Sequence, residues 1–237
     1  MNLEPNTTVR EIALAIPGAT RTFEKVGIDY CCGGQQSLSE ACAKAGIPIE
    51  EVTNSLTIER PAPERNFLTM TLAELIEHIV EAHHVFTKNE IGRLRTLINK
   101  VRSVHGENHP ELIRLLSLFE TLAGELSPHM MREERVLFPY VYALEDSIRN
   151  KRPMRTQYGS ITNPLRVMRM EHDKAGQLLK EMRQLTANYK VPTDGCLSYQ
   201  TLYQALDAFE KDLHQHIHLE NNILFPRAEE MEIRGSS

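Results

Sequence analysis

One repeated pattern limits this chain more than any other feature. His129-Met130-Met131-Arg132-Glu133 runs on to Leu137-Phe138-Pro139, and His216-Ile217-His218-Leu219-Glu220 runs on to Leu224-Phe225-Pro226. Both read H-x-x-x-E-x-x-x-L-F-P. The same 87 positions separate His129 from His216 and Glu133 from Glu220. A shift of 88 positions pairs His84 with His172. The chain therefore reads as two copies of one helical hairpin, each supplying a His and then a His-x-x-x-Glu.

Helical periodicity supports that reading. Residues 71–103 carry Leu72, Leu75, Ile76, Ile79, Val80 and Val85 at steps of three and four, the spacing of one helix face. Residues 111–148, 165–189 and 198–231 form three further long helices. Pro128 and Pro139 predict a kink in the second. No stretch alternates as a strand needs. The expected architecture is all-α: an antiparallel four-helix bundle preceded by a small helical domain. Pro61 and Pro63 interrupt any helix and mark a linker. The expected domains are residues 1–58, a linker at 59–70, and the bundle at 71–237. In the first, Thr8 caps a helix from Val9 to Ile16, residues 30–34 form a turn, and residues 38–45 form a second helix ended by Gly46.

Residues four apart share a helix face, with Cβ atoms about 5–6 Å from each other. Two such His/Glu faces and two more His, converging in a bundle, make a dinuclear metal site. The expected ligands are His84, His129, Glu133, His172, His216 and Glu220. With both Glu bridging, each ion receives two ring nitrogens and two carboxylate oxygens. A bridging oxygen makes five ligands and leaves one octahedral position open. Imidazole and carboxylate suit iron, with zinc and manganese as competitors. Two carboxylates against two Fe²⁺ leave a core charge of about +2, which favours release of iron over firm retention of the ferric form.

Other polar residues compete for roles. His83 adjoins His84, but the repeat selects His84. His214 and His218 lie one turn apart on the face away from His216, where an adventitious metal could bind. Glu134 is expected in solvent, and His78, His105 and His109 on the surface or in loops. Glu125 and Glu171 sit beside the ligands, either as groups that hydrogen-bond to them or as the lining of a polar path. The repeated Leu-Phe-Pro reads as core packing and a helix bend. Cys42 and Cys196 read as structural. The adjacent Cys31 and Cys32 suit thiol exchange or soft-metal contact better than a strained mutual disulfide.

Whole-chain properties exclude several classes. A net charge of −5 and a pI near 6.1 argue against general nucleic-acid binding. The longest apolar run, residues 136–144, is too short for a membrane span. The first ten residues lack the apolar stretch of a signal peptide. Four Cys, two of them adjacent, do not make a disulfide scaffold, so a cytoplasmic location is expected.

The combination of Asp29-Tyr30-Cys31-Cys32-Gly33-Gly34, His129 to Glu134, Glu171-His172-Asp173 with Ala175-Gly176, and His216 to Pro226 resembles the repair-of-iron-centres family (the ScdA/YtfE type) of bacterial hemerythrin-like di-iron proteins. The resemblance covers nearly the whole chain. It implies two non-haem iron ions, carboxylate-bridged and oxo-bridged when oxidised, held by the same six residues that the repeat selects. It places Glu125 and Glu171 at acidic positions beside the centre and gives Cys31 and Cys32 a redox role. It implies restoration of iron–sulfur clusters damaged by nitrosative or oxidative stress, by iron donation to the damaged proteins. Two alternatives remain: nitric oxide reductase-type activity at the diferrous centre, and an oxygen- or nitric oxide-binding sensor. A homodimer is left open. The chain departs from the family in a longer loop at 149–163 and in His83.

Overall fold

The computed structural model describes residues 4–16, 19–30, 33–58, 66–151 and 159–235. Cys31 and Cys32, most of the linker and the middle of the 149–163 loop lie outside the described residues.

Four short helices come first: α1 (Val9–Ala15), α2 (Ala19–Val26), α3 (Leu38–Ala45) and α4 (Ile49–Ile58). Thr8 and Ser37 cap α1 and α3, and each receives the reciprocal carboxylate, Glu11 or Glu40, on its own N–H. The two caps are joined by an isolated antiparallel bridge between Thr8 and Ser37, and no strand occurs among the described residues. Gly46 ends α3 with φ +71°, a conformation that glycine adopts without a Cβ penalty. Helices α2 and α4 were not legible in the sequence. They are short and acquire their order by packing side chains such as Phe23 and Val52 into a shared core.

The four long helices follow. The first runs through α5 (Leu72–His78), a π-helical turn (Ile79–His84) and α6 (Val85–His105). The second is α7 (Glu111–Arg132), a π turn (Glu133–Leu137) and α8 (Phe138–Arg149). The third is α9 (Thr162–Leu185). The fourth is α10 (Leu197–Leu219), a π turn (Glu220–Leu224) and α11 (Phe225–Gly235). Each long helix packs on its sequence neighbour, and α10 closes the ring against α6.

Periodicity placed the third helix four residues too far. After Leu185 the Thr186 hydroxyl bonds back to the Met182 carbonyl and accepts the Tyr189 N–H. Ala187, Asn188 and Tyr189 then take positive φ, which turns the chain while Tyr189 stays buried. None of the described helices is long and apolar enough to cross a membrane.

The apolar interior forms two clusters. One joins Leu72, Ile76, Phe138, Leu165 and Phe225 at one end of the bundle. The other joins Leu94, Phe119, Leu179 and Phe209 at the opposite end and continues into the small domain through Tyr30 and Phe23. A buried polar layer lies between them.

Candidate metal centre

That layer holds His84, His129, Glu133, His172, His216 and Glu220, each at most 3% exposed. Five of the six sit within or beside a π turn: His84 ends the first, Glu133 and Glu220 open the other two, and His129 and His216 lie four residues ahead of them. In each turn an N–H reaches back five residues: Val85 to Val80, Phe138 to Glu133, and Phe225 to Glu220. Pro139 and Pro226 follow directly and lack the donor that α spacing needs. The repeated Leu-Phe-Pro thus accompanies a π turn in both copies. Its two rings also lie against ligand rings, Phe138 on His84 at 5.7 Å and Phe225 on His172 at 5.8 Å.

Two groups of four side chains emerge. His84 and His216 converge with Glu133 and Glu220, and His129 and His172 converge with the other oxygens of the same two carboxylates. Glu133 Oε2 lies 3.4 Å from His84 Nε2 and its Oε1 lies 3.3 Å from His129 Nε2. Glu220 Oε1 lies 3.2 Å from His216 Nε2 and its Oε2 lies 3.1 Å from His172 Nε2. Each carboxylate spans both groups, and each group draws one His from each copy of the repeat.

The donor set fits two cations. The Nε2 atoms of His84 and His216 face each other at 3.2 Å, and those of His129 and His172 at 3.1 Å. All four oxygens of Glu133 and Glu220 are buried without a hydrogen-bond donor. Buried carboxylates in that condition are costly unless a positive charge lies among them. Imidazole nitrogen with carboxylate oxygen is a donor set that iron accepts, and the cluster fits a di-iron centre.

Protons compete for the same atoms. Burial opposes a charge on His129, but the Glu133 and Glu220 carboxylates outweigh it and push its pKa up to about 9. His84 moves up against its own burial for the same reason. Complete burial moves His216 down. Glu220 is held well below the usual carboxylate range, against its burial, by His216 and His172. Metal uptake here is therefore coupled to proton release.

The outward ring nitrogens are tied in turn. His84 Nδ1 donates to Glu134 Oε1 at 2.8 Å, His129 Nδ1 to Glu171 Oε2 at 2.7 Å, and His172 Nδ1 to Asn221 Oδ1 at 2.9 Å. These bonds direct Nε2 inward and raise its basicity. Glu134 was expected in solvent; it is instead the partner of His84 and Lys88. The repeat held the signal that finds it, because Glu134 and Asn221 each follow the bridging Glu by one residue. Glu171 also pairs with Arg132, and Glu125 pairs with Lys174. These two carboxylates flank a cavity that reaches His129, His172 and His216, with Leu126, Ala175, Leu213 and Ile217 along its walls.

His83 is no ligand. Its Nδ1 bonds Asp212 Oδ1 at 3.0 Å and its ring lies parallel to that of His216. The expectation of a surface pair at His214 and His218 is corrected. His218 is 3% exposed because the Tyr30 ring covers it, edge-on at 5.3 Å, and burial lowers its pKa to about 4. Asn222 Nδ2 donates both to His218 Nδ1 and to the Tyr30 carbonyl, and the Arg10 guanidinium donates to the Asn222 carbonyl. The small domain is thus fastened two residues from Glu220. At the far end of the bundle His105 Nε2 meets the exposed Cys196 thiol at 3.1 Å and brings it down to about 7. Cys42 is buried.

Residues 75–228 match the hemerythrin HHE cation binding domain family, and residues 5–59 match the ScdA_N family, a domain of unknown function (DUF542). The chain is 37% identical over 221 residues to a probable iron–sulfur cluster repair protein of Haemophilus influenzae. It shows the same identity over the same length to proteins of Citrobacter koseri and Escherichia coli O157:H7 named iron–sulfur cluster repair protein YtfE. Each match covers 92% of this chain and 94% of the relative.

Proposed function

The chain belongs to the hemerythrin HHE family and carries an ScdA_N domain ahead of the HHE domain, and from that premise we propose that it repairs damaged iron–sulfur clusters by donating iron from a dinuclear site. The observation that carries this reading is the pair of buried carboxylates whose four oxygens have no donor and lie between two facing pairs of ring nitrogens.

His84 and His216 would hold one iron and His129 and His172 the other, with Glu133 and Glu220 offering an oxygen to each group. Iron bound there supplies ferrous ions to the recipient and, in its diferrous form, redox chemistry toward small ligands. Glu134, Glu171 and Asn221 hold three of the rings with Nε2 inward. Glu125 and Glu171 place carboxylate oxygens at the cavity beside His129 and His172. Four imidazoles with only two carboxylates neutralise less charge than a carboxylate-rich site does, which suits a site that gives iron up. We further propose that Cys31 and Cys32 act as thiol partners in the transfer; Tyr30, just ahead of them, is held on the helix that bears Glu220. The domain division at 1–58, 59–70 and 71–237 is part of this reading. The recipients are damaged iron–sulfur proteins, the substrates that the relatives' names carry.

Anaerobic, ferrous-loaded protein is expected to hold two irons per chain and to reactivate a nitric oxide-damaged iron–sulfur enzyme faster than the same amount of free ferrous iron. Reactivation no better than free iron overturns the proposal. The apolar walls of the cavity support a second reading, in which a small uncharged molecule such as nitric oxide or oxygen enters there. Sustained turnover of nitric oxide to nitrous oxide under an electron supply favours reduction; a single stoichiometric reaction counts against it.

A further inference from the structure

The repeat relates more than the ligands. The shift that takes His84 to His172 takes His83 to Glu171, and the shift that takes His129 to His216 takes Glu125 to Asp212. The Glu125/Glu171 pair beside His129 and His172 therefore has a counterpart, Asp212/His83, beside His216 and His84.

The two sides differ in chemistry. On the first, both residues are carboxylates. Ionised, neither has a proton to donate to the other. Glu125 turns to Lys174, and Glu171 to Arg132 and His129. Both side chains remain about a third exposed, at 32% and 31%, and the cavity passes between them to the ligand rings.

On the second side a His stands where the first has a Glu, and it supplies the missing donor. His83 Nδ1 donates to Asp212 Oδ1 at 3.0 Å, and the His83 side chain is 8% exposed. Its ring lies over His216 with centroids 5.8 Å apart and planes 8° from parallel. His78 meets it edge-on at 5.6 Å, and Phe67 lies against His78 at 5.0 Å. Three rings thus stack outward from His216. The exchange leaves a trace: His129 Nδ1 donates to Glu171, whereas His216 Nδ1 is buried with no partner. His83 Nε2 and Asp212 Oδ2 are likewise buried and unpaired. Where Glu171 accepts from His129, its repeat counterpart His83 instead covers His216 with its ring.

We propose that the His83–Asp212 pair seals the side of the dinuclear site that corresponds, by the repeat, to the Glu125/Glu171 side. This rests on the six-ligand reading above. A hydrated ferrous ion does not cross closely packed rings, while on the other side Glu125 and Glu171 stay about a third exposed and offer carboxylate oxygens.

The test uses full-length ferrous-loaded protein under anaerobic conditions. Iron per chain is measured first, and release to bipyridine is then followed by absorbance. His83→Ala, with wild-type iron content, is expected to release iron about twofold faster or more, because a second path adds to the first. Its rate is expected to keep rising with bipyridine concentration. His83→Glu, which copies the open side, is expected to do the same. Asp212→Ala carries the test if the His83 variants do not fold. Wild-type release rates in these variants overturn the seal. So does faster release that is independent of bipyridine, because that reports loosened ligands and not an opened entry. A wild-type chain without iron fails the six-ligand reading itself, at the metal-content step, and the seal falls with it.

Discussion

Single side chains set the quality of the site. Three of the four rings have a hydrogen-bond acceptor on Nδ1, and two of those acceptors are carboxylates, Glu134 and Glu171. A charged acceptor makes the ring more basic at Nε2 and fixes its tautomer. Glu134→Ala or Glu171→Ala is expected to weaken iron binding by roughly 10- to 100-fold in competition with a ferrous chelator. Glu181→Ala, which removes an exposed pair with Arg114 nine residues along α9 from His172, is expected to leave affinity unchanged. Equal affinity in all three variants would show that these contacts do not hold the ligands. The convergence of these side chains was legible because i and i+4 is a local relation that a repeat displays twice. Glu134 was missed because exposure cannot be judged from one residue's own type: Lys88 and His84 come to it from another helix.

At the scale of elements, the decisive feature is the π turn. It recurs at three of the four ligand-bearing helices, and the Phe that follows it in two of them seats a ring on a ligand His. Phe225 is 1% exposed and nearly parallel to His172, at 6°. Phe225→Ala removes that ring from a packed core, and the expected loss is about 3–5 kcal/mol in urea unfolding of metal-depleted protein. A loss below about 1 kcal/mol would show that the neighbouring side chains close the gap. Pro139 predicted a disturbance in the second helix. Its form, a widened turn in place of a simple bend, follows from which carbonyls the next helical N–H groups can reach. The caps were partly legible: Thr8 was read as one, and Thr71 closes the same reciprocal box with Glu74.

At the scale of the whole molecule, the small domain and the bundle share one apolar cluster. They also share a polar clasp, in which Asn222 bonds the Tyr30 carbonyl and His218 while its own carbonyl accepts from Arg10. Buried hydrogen bonds of this kind cost about 1–3 kcal/mol when one partner is removed. Asn222→Ala is expected to free the small domain, seen as faster limited proteolysis within the first 58 residues while the bundle stays intact. Cleavage at the wild-type rate would place the attachment in the apolar contacts alone.

The sequence by itself determined the helical class, the four long helices, the two-copy organisation and the set of six converging side chains. Each of these is a matter of spacing along one chain, and helical periodicity makes spacing visible. Only the tertiary structure decided that His84 joins His216 while His129 joins His172, that Glu134 and Asn221 orient rings, that Tyr30 covers His218, and that His83 bonds Asp212 and lies over His216. Those outcomes depend on which helices become neighbours and how far each is rotated. Packing against distant residues sets both; the repeat shows which positions correspond, but not which neighbours they meet.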